Sequence, residues 1–216
     1  MEFLENVWIL YETRSTFFLR LFFEHVYLSG IAIIVISFIG LTLGIFISKN
    51  EGAAPIVLNL VNFLYTIPSI ALFGFLVSIT GIGNKTALIA LILYGILPMI
   101  RNTYVGIREV DPQIIEAAIG MGTTSRQLLF KIQLPLAMPV IIAGFRTMVI
   151  MTIALTGIAS FIGAGGLGVA IYRGITTNFP EMIFAGSILV ALFAIVTDLF
   201  LGFLEKRINV KIYGKK

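Results

Sequence analysis

The sequence predicts an all-α membrane protein, built as a bundle of five transmembrane helices. Its mean hydropathy is +1.03, and 58% of its 216 residues are hydrophobic whereas only 12% are charged. Soluble domains carry about 25% charged residues, so this chain has too few charges for a globule in water. The sequence also contains five apolar stretches that can each cross the roughly 30 Å hydrocarbon core of a bilayer. Together these observations predict the lipid bilayer as the solvent.

The apolar stretches follow one another along the chain. They cover residues 26–48, 56–79, 86–100, 137–161 and 182–204. Proline and glycine occur inside them, which neighbouring helices can accommodate in a membrane. The third stretch is the shortest, and residues 103–107 are expected to extend it as a helix into the interface. We therefore predict a transmembrane domain over residues 26–207 and a basic cytoplasmic tail over residues 208–216.

Residues 1–25 mix aromatic with charged side chains, and two interpretations stay open. One is an amphipathic helix that lies in the membrane interface, with its aromatic rings at headgroup level. The other is a helical extension of the first span. The segment has neither the basic region nor the cleavage site of a signal peptide.

The basic residues sort by membrane side. If the interval 101–146 is cytoplasmic, the cytoplasmic side collects eleven Lys and Arg residues and the opposite side four. Positive charge accumulates on the cytoplasmic side of membrane proteins, so we expect the N-terminus outside and the C-terminus inside. The same sorting explains the net charge of +4 without a nucleic-acid partner.

The residue types of the chain argue against a catalytic or metal site. Cysteine is absent, which excludes disulfides and cysteine-based sites, and His25 is the single histidine. Asp198 lies in the fifth span, where an acid is a functional-site hypothesis by default, but we expect it to be hydrated near the cytoplasmic end or paired with a neighbouring helix. Arg101 and Arg146 are expected at helix ends, where they can snorkel. We therefore predict neither an enzyme nor a proton-coupled carrier.

Two glycine-rich stretches resemble nucleotide-binding loops but lack their context. Residues 163–168 match G-x-G-x-x-G, yet they follow an apolar helix rather than a strand. They predict a tight turn that starts a short helix over residues 169–175, and they are a weak candidate for the outer mouth of a pathway. Residues 81–86 lack the adjacent Gly-Lys-[Ser/Thr] ending of a phosphate loop and predict an external turn. We expect no nucleotide site on this chain.

The second and third spans contain aromatic and polar side chains that could line a pathway through the bundle. They are Tyr65, Pro68, Ser69, Tyr94, Pro98 and Met99. Helix packing is the alternative for each of them.

The interval 101–146 is the longest one without a membrane-spanning stretch, and its centre has the pattern of two short capped helices. Asp111-Pro112 predicts a helix start, with Asp at the N-cap and Pro at the first helical position. Gly122 fits a C-terminal stop. The apolar residues of this first helix are Ile114, Ile115, Ala118 and Ile119.

Thr124 and Gln127 are spaced as a capping box for the second helix, which we expect to stop before Pro135. Two short helices that meet at a glycine form an elbow. Ala117 and Ala118 keep it slim, so that another surface can approach its backbone. Charge comes from Glu116, Arg126 and Lys131. A generic interfacial helical hairpin is the alternative interpretation.

One spaced pattern in this interval, Glu-Ala-Ala-x3-Gly-x9-Ile-x-Leu-Pro, resembles the cytoplasmic signature of the membrane subunits of bacterial ABC importers. It is matched at every specified position, by Glu116, Ala117, Ala118, Gly122, Ile132, Leu134 and Pro135. In that family the elbow is the coupling helix, which docks in a groove of a separate ATPase subunit. The resemblance implies a type I importer permease fold, like that of methionine importers, and assigns these seven residues to ATPase coupling.

Residues 61–69, 97–107 and 159–168 are similar to permeases of glycine betaine, carnitine and choline osmoprotectant importers. The resemblance covers about residues 26–207. It implies that the chain forms half of a translocation path for a quaternary ammonium osmoprotectant. Permeases for methionine or another small amino-acid-like solute share the five-span plan and the signature, and they are the alternative.

The resemblance also implies partners. We expect a second permease, identical or paralogous, and two ABC ATPase subunits that hold ATP and Mg. Some members of the group carry a fused binding domain, whereas this sequence ends at Lys216, so we expect a separate extracytoplasmic substrate-binding protein. No cofactor is expected on the chain itself, and the expected location is the bacterial plasma membrane.

Overall fold

The computed structural model describes residues 2–213, with side chains up to residue 210. Its helices are α1 (Glu2–Thr13), α2 (Ser15–Ser48), α3 (Ala53–Thr66), α4 (Ser69–Thr80), α5 (Asn84–Arg108), α6 (Pro112–Gly120), α7 (Ser125–Gln127), α8 (Leu134–Ile158), α9 (Gly168–Thr176) and α10 (Pro180–Tyr213). A π-helical segment (Leu128–Gln133) joins α7 to α8, and a 3₁₀ turn (Ala159–Ile162) follows α8. Residues 2–213 contain no strand, and the predicted all-α fold is confirmed.

Within the described residues, four helical stretches are long and apolar enough to cross a membrane. They are Ser15–Ser48, Asn84–Arg108, Ser125–Ile162 and Pro180–Val210. The remaining predicted span, over residues 56–79, is the pair α3 and α4, bent by 97°. Pro68 causes the bend, because proline has no N–H to donate and disfavours the helical conformation of the residue before it. Ile67 accordingly has an extended backbone, with φ −71° and ψ 125°.

The long helices α5 and α8 extend further into the interval 101–146 than the sequence predicts. α5 continues through Pro98 and ends at Arg108, while α8 begins at Leu134. Arg101 and Arg146 therefore lie inside long helices. The prediction that both sit at helix ends is wrong, because α5 runs on past Arg101 to Arg108 and α8 begins well before Arg146, at Leu134.

α2, α5 and α8 form the centre of the bundle, and glycines let them approach closely. A Cβ added at Gly40 of α2 would lie 2.7 Å from Met99 of α5. On α8, Gly144 faces Asn102 of α5 so closely that a Cβ there would overlap it. The register of α5 against α2 and against α8 is therefore set at two points, where a glycine of the neighbouring helix packs against a side chain of α5.

The N-terminal segment contains two helices. α1 ends at Thr13, and α2 starts at Ser15 and runs without interruption through the predicted boundary at residue 25. The Tyr11 hydroxyl donates to the Ala185 carbonyl of α10 at 2.8 Å, which anchors α1 on the bundle. Residues 15–25 are thus an extension of the first span, whereas α1 is a separate short helix, and its placement in the membrane interface stays a prediction.

α10 has a broad exposed apolar face. It consists of Leu192, Ile195, Val196, Leu199, Phe200 and Phe203. The other faces of α10 contact α1, α8 and α9. The helix continues into the predicted tail as far as Tyr213, and residues 214–216 of that tail lie outside the described residues.

Candidate functional site

α6 starts with the cap that the sequence predicts. Asp111 is the N-cap residue, and its side chain accepts a hydrogen bond from the Gln113 N–H at 2.8 Å, with Pro112 at the first helical position. The cap satisfies one of the donors that a helix start leaves free. Ala118 is buried, at 1% exposure, and α6 packs against the π-helical segment Leu128–Gln133.

A glycine turn ends α6. Gly122 has a φ of +83°, a conformation that L side chains rarely adopt. Its N–H donates to the Ile119 carbonyl at 2.9 Å, and the Thr123 N–H donates to the Ala118 carbonyl at 3.2 Å. These two bonds are those of a Schellman motif. The predicted stop at Gly122 is confirmed.

The second half of the elbow begins with the predicted capping box. Thr124 Oγ1 accepts from the Gln127 N–H at 3.3 Å, and Gln127 Oε1 accepts from the Thr124 N–H at 3.0 Å. The two bonds satisfy two donors at the helix start reciprocally. This local prediction is confirmed as well. We use "the elbow" below for residues 111–133.

The prediction that the second helix stops before Pro135 is wrong. The π-helical segment carries the chain into α8, because the Leu134 N–H donates to the Leu129 carbonyl five residues back. A π turn widens the helix locally and accommodates a proline that would otherwise clash with a preceding carbonyl. One continuous stretch, Ser125–Ile162, therefore links the elbow to the opposite end of the bundle. We call this stretch the rod.

The outward surface of the elbow is apolar although it lies outside the four long spans. Its exposed apolar side chains are Ile114 (42%), Ile119 (56%), Met121 (79%) and Phe130 (63%). The charged side chains of Glu116, Arg126 and Lys131 are exposed around it. An exposed apolar patch with a polar rim is typical of a protein interaction site.

The structure divides the seven signature residues into two groups. Glu116, Ala117, Gly122 and Pro135 are exposed. Ala118 is buried, while Ile132 and Leu134 are half-buried, and Leu134 packs against the bundle core. Leu134 therefore helps to attach the elbow to the bundle, and the outward group is available to another surface.

The bend between α3 and α4 brings several candidate pathway residues together. The rings of Tyr65 and Tyr94 lie 5.8 Å apart, and the Tyr94 hydroxyl donates to the Ile67 carbonyl, next to Pro68 and Ser69. Tyr65 is 41% exposed, whereas Tyr94 is 7% exposed. Of this group, Tyr65 is therefore the aromatic side chain that reaches the surface.

Pro98 and Met99 lie further along α5. Pro98 is half-buried and its carbonyl accepts from Asn102 Nδ2 at 2.8 Å. Met99 is 3% exposed and packs against Gly40 of α2. In this structure Met99 belongs to the contact between α2 and α5 and does not border the bend.

The glycine-rich stretch 163–168 is a turn that starts α9, as predicted. Its backbone N–H groups are held by side chains from α2 and α5. Gly165 donates to Asn84 Oδ1 at 3.0 Å, Gly166 to Glu24 Oε2 at 3.2 Å, and Leu167 to His25 Nδ1 at 3.3 Å. These three bonds connect α2, α5 and α9 at the end of the bundle opposite the elbow. We call them the turn clamp.

His25 has a structural role that the sequence analysis did not identify. The side chain is 0% exposed. Its Nε2 is 3.1 Å from the Ile153 carbonyl, and its Nδ1 accepts from the Leu167 N–H. A neutral imidazole that donates from Nε2 satisfies both contacts. The signal in the sequence was the pair Glu24-His25 immediately before the first apolar stretch.

We expect His25→Leu to lower the free energy of unfolding by about 1–3 kcal/mol, because it leaves the buried Leu167 N–H without an acceptor. Thermal unfolding of the purified chain in detergent measures the change. The matched control is Tyr27→Leu, at a position that is 65% exposed in the same helix and should change stability little. Equal stability of the two variants would contradict the turn clamp.

Arg146 connects α8 to α10 through an ion-pair network. Its Nε and Nη2 donate to the two carboxylate oxygens of Asp198 at 2.6 and 2.7 Å, and its Nη1 donates to Glu205 at 3.0 Å. Gly202 leaves room for the guanidinium, because a Cβ there would lie 3.0 Å from Arg146 Nη1. The expected pairing of Asp198 with a neighbouring helix is confirmed. The spacing of Asp198, Gly202 and Glu205 on one helix face was the signal for the wider network.

Comparison with known proteins gives a family match and close relatives. Residues 36–210 match the family described as "Binding-protein-dependent transport system inner membrane component". The carnitine transport permease protein OpuCD of Listeria monocytogenes is 37% identical over 210 residues, which cover 97% of this chain and 94% of that protein. The glycine betaine/carnitine/choline transport system permease protein OpuCD of Bacillus subtilis is also 37% identical over 210 residues, with 97% and 92% covered.

A longer relative and two solved structures extend the comparison. An ergothioneine transport permease/ergothioneine binding protein of Helicobacter pylori is 44% identical over 175 residues, and the match spans 31% of that protein's length. An inward-facing structure of the MetNI methionine ABC transporter aligns with a TM-score of 0.81 at 21% identity, covering 91% of this chain and 98% of that one. An amino acid ABC transporter aligns with a TM-score of 0.74 at 18% identity, covering 90% and 95%. The predicted importer permease fold is confirmed.

Proposed function

The chain belongs to the family of binding-protein-dependent transport system inner membrane components, and from this premise we propose that it forms half of an ATP-driven path for small trimethylammonium solutes. The family description and the permease names of the relatives make the chain a membrane subunit of a transporter and not an enzyme. Its apolar helices and the description as an inner membrane component indicate the bacterial plasma membrane.

The elbow carries the proposal of an ATPase partner. Its outward surface exposes four large apolar side chains outside the long spans, and an apolar patch with a polar rim is typical of a protein interaction site. Gly122 and Ala117 add no bulk that would hold a partner away. We propose that the outward signature residues contact a groove of an ABC ATPase, and that Ala118, Ile132 and Leu134 attach the elbow to the bundle.

The rod suggests how ATPase closure would reach the membrane. Ser125–Ile162 is continuous, so movement of the elbow displaces α8 along its whole length. In the proposed assembly two permeases, identical or paralogous, pair around the path and two ATPases below them bind ATP and Mg. A separate binding protein delivers solute from outside, with the N-terminus of this chain on that side and the C-terminus in the cytoplasm. Closure of the ATPases would then open the outer end, and hydrolysis would reset it.

The substrate class follows from the solutes in the names of the relatives. Carnitine, glycine betaine, choline and ergothioneine each carry a trimethylammonium group, although the remainder of each molecule differs. Methionine lacks that group, and the similarity to the methionine transporter is at 21% identity, which supports the fold alone. We therefore propose a trimethylammonium solute, with carnitine, glycine betaine or choline ahead of ergothioneine because those relatives match along nearly their whole length.

Uptake by the complete complex tests this assignment. The permease, its ATPase and its binding protein are reconstituted in proteoliposomes, and ATP-dependent uptake of radiolabelled choline, glycine betaine and carnitine is measured in competition with ergothioneine and methionine. Uptake of at least one trimethylammonium solute with no competition by methionine is expected. Uptake inhibited only by methionine would overturn the assignment.

Glu116→Lys is expected to weaken association with the ATPase, because it reverses a charge at the rim of the proposed contact. Glu116 is exposed and forms no ion pair within residues 2–210. Affinity between detergent-purified permease and ATPase measures the effect at two salt concentrations, since screening reduces it. Glu5→Lys, the same change at an exposed position of α1, is the control. An unchanged affinity would confine Glu116 to a local role.

A further inference from the structure

A groove between α8 and α10 contains charged side chains at membrane depth. Asp198 lies 18 residues after Pro180, and Arg146 lies 16 residues before Ile162. At 1.5 Å per residue they are about 27 and 24 Å from the outer ends of their helices, inside a hydrocarbon core of roughly 30 Å. The side chains of Arg146, Asp198 and Glu205 are nevertheless 34%, 38% and 22% exposed. Charges at this depth face water or protein rather than lipid.

The wall of this groove differs from the exposed apolar face of α10. The groove has a volume of about 410 Å³, and α8 lines it with Ala143, Thr147, Ile150 and Met151 beside Arg146. The Tyr65 hydroxyl donates to Met151 Sδ at 3.5 Å, so the exposed aromatic ring at the bend of α3 and α4 contacts one of the side chains that line the groove. Large apolar side chains such as Leu199 lie on another face of α10.

The groove carries an excess of negative charge. Two carboxylates, Asp198 and Glu205, share the single guanidinium of Arg146. The next basic residues of α10 are turned elsewhere: the Arg207 guanidinium lies 4.4 Å from the Phe203 ring centroid, and both line a different cavity with Lys206. One carboxylate charge therefore remains uncompensated by the basic side chains of this groove.

We propose that the groove between α8 and α10 is a water-filled part of the translocation path on its cytoplasmic half, and that its carboxylates attract the ammonium group of the solute. Arg146 holds Asp198 and Glu205 on one wall, and Gly202 leaves room for its guanidinium. The groove therefore favours organic cations and zwitterionic amines over anions. The inference rests on the proposed function, because it deepens the assignment of a trimethylammonium path.

Cysteine accessibility tests the groove directly, since the natural chain contains no cysteine. Thr147→Cys places one thiol in the groove, and Leu199→Cys places one on the other face of α10, at the depth of Asp198. Both variants are examined in the complete complex in membrane vesicles. The probes are a membrane-impermeant methanethiosulfonate reagent with a trimethylammonium group and its sulfonate analogue, applied from the cytoplasmic side at low ionic strength.

We expect the thiol at position 147 to react with both reagents, and roughly tenfold faster with the cationic one after correction for their rates with a free thiol, as about 1.4 kcal/mol of local attraction implies. Asp198→Asn and, separately, Glu205→Gln should each reduce that ratio, whereas Leu199→Cys should react with neither reagent. An unreactive thiol at 147, or a ratio that neither substitution changes, would overturn the inference.

The same vesicles separate this inference from the proposed substrate class. Choline and glycine betaine are added before the reagents, and each should slow the reaction at position 147 if it occupies the groove. A preserved charge preference with no protection and no uptake of either solute would reject the substrate class and retain the electronegative path. Normal uptake with an unreactive thiol would reject the path and retain the substrate class.

Discussion

Gly122→Asp is expected to uncouple ATP hydrolysis from uptake, so that solute uptake per ATP falls roughly tenfold or more, because a docking contact weakened by about 1.4 kcal/mol is already occupied tenfold less tightly. Nothing in the chain lies within 4 Å of a Cβ added at this position. The substitution therefore does not clash with its own bundle. It places a charged side chain where a partner must approach the backbone of the elbow. The φ of +83° at position 122 also strains any residue other than glycine at this turn.

Two controls separate bulk and charge from that strain. Gly122→Ala has the strained φ without the carboxylate, so it should retain most of the coupling. Gly52→Asp adds the same charge at an exposed position in the connection between α2 and α3 and should transport normally. Uptake and ATP hydrolysis are measured on the same proteoliposomes, with gel filtration as the check on folding. Normal transport by Gly122→Asp would remove the coupling role from the elbow.

The parts of the elbow that the sequence predicted are those set by local chemistry. Asp111 caps the residue two positions ahead, and Thr124 and Gln127 bond each other across three positions. Propensity and spacing contain all the information that such contacts need. The continuation of the helix past Pro135 could not be predicted in this way. The same residues can form an α-helical or a π-helical turn, and the sequence does not show which backbone hydrogen-bond pattern they adopt.

Contacts between distant residues account for most of what the sequence did not reveal. Glu24 and His25 are each 142 residues from their partners in the turn clamp, and Arg146 is 52 residues from Asp198. The sequence marked Asp198 as an unusual acid within an apolar span, but it did not show which residue Asp198 would contact. The sorting of basic residues survives the correction, because moving Arg101 into α5 and Arg146 into α8 leaves nine against four on the two sides. The predicted orientation therefore does not depend on those two residues.

Gly168→Ala is expected to lower the free energy of unfolding by about 3 kcal/mol or more, at the upper end of overpacking effects. A Cβ at position 168 would overlap the Gly157 carbonyl oxygen of α8 and lie 2.8 Å from Ser160 Oγ. The obstacle is backbone, which cannot change rotamer, so α8 and α9 must separate. That separation would also disturb the neighbouring Leu167 N–H, which donates to His25.

The matched control is Gly30→Ala in α2, where an added Cβ has nothing within 4 Å and the higher helix propensity of alanine favours the folded state. Thermal unfolding in detergent compares the two, and equal stability would show that α8 and α9 do not meet as closely as described. Gly168 and Gly122 lie near opposite ends of the rod, so their variants should fail differently. Gly168 holds the rod in place, so Gly168→Ala should lose uptake in proportion to the loss of folded protein. Gly122 lies where the elbow receives the movement of the ATPase, so Gly122→Asp should lose uptake although the bundle stays folded.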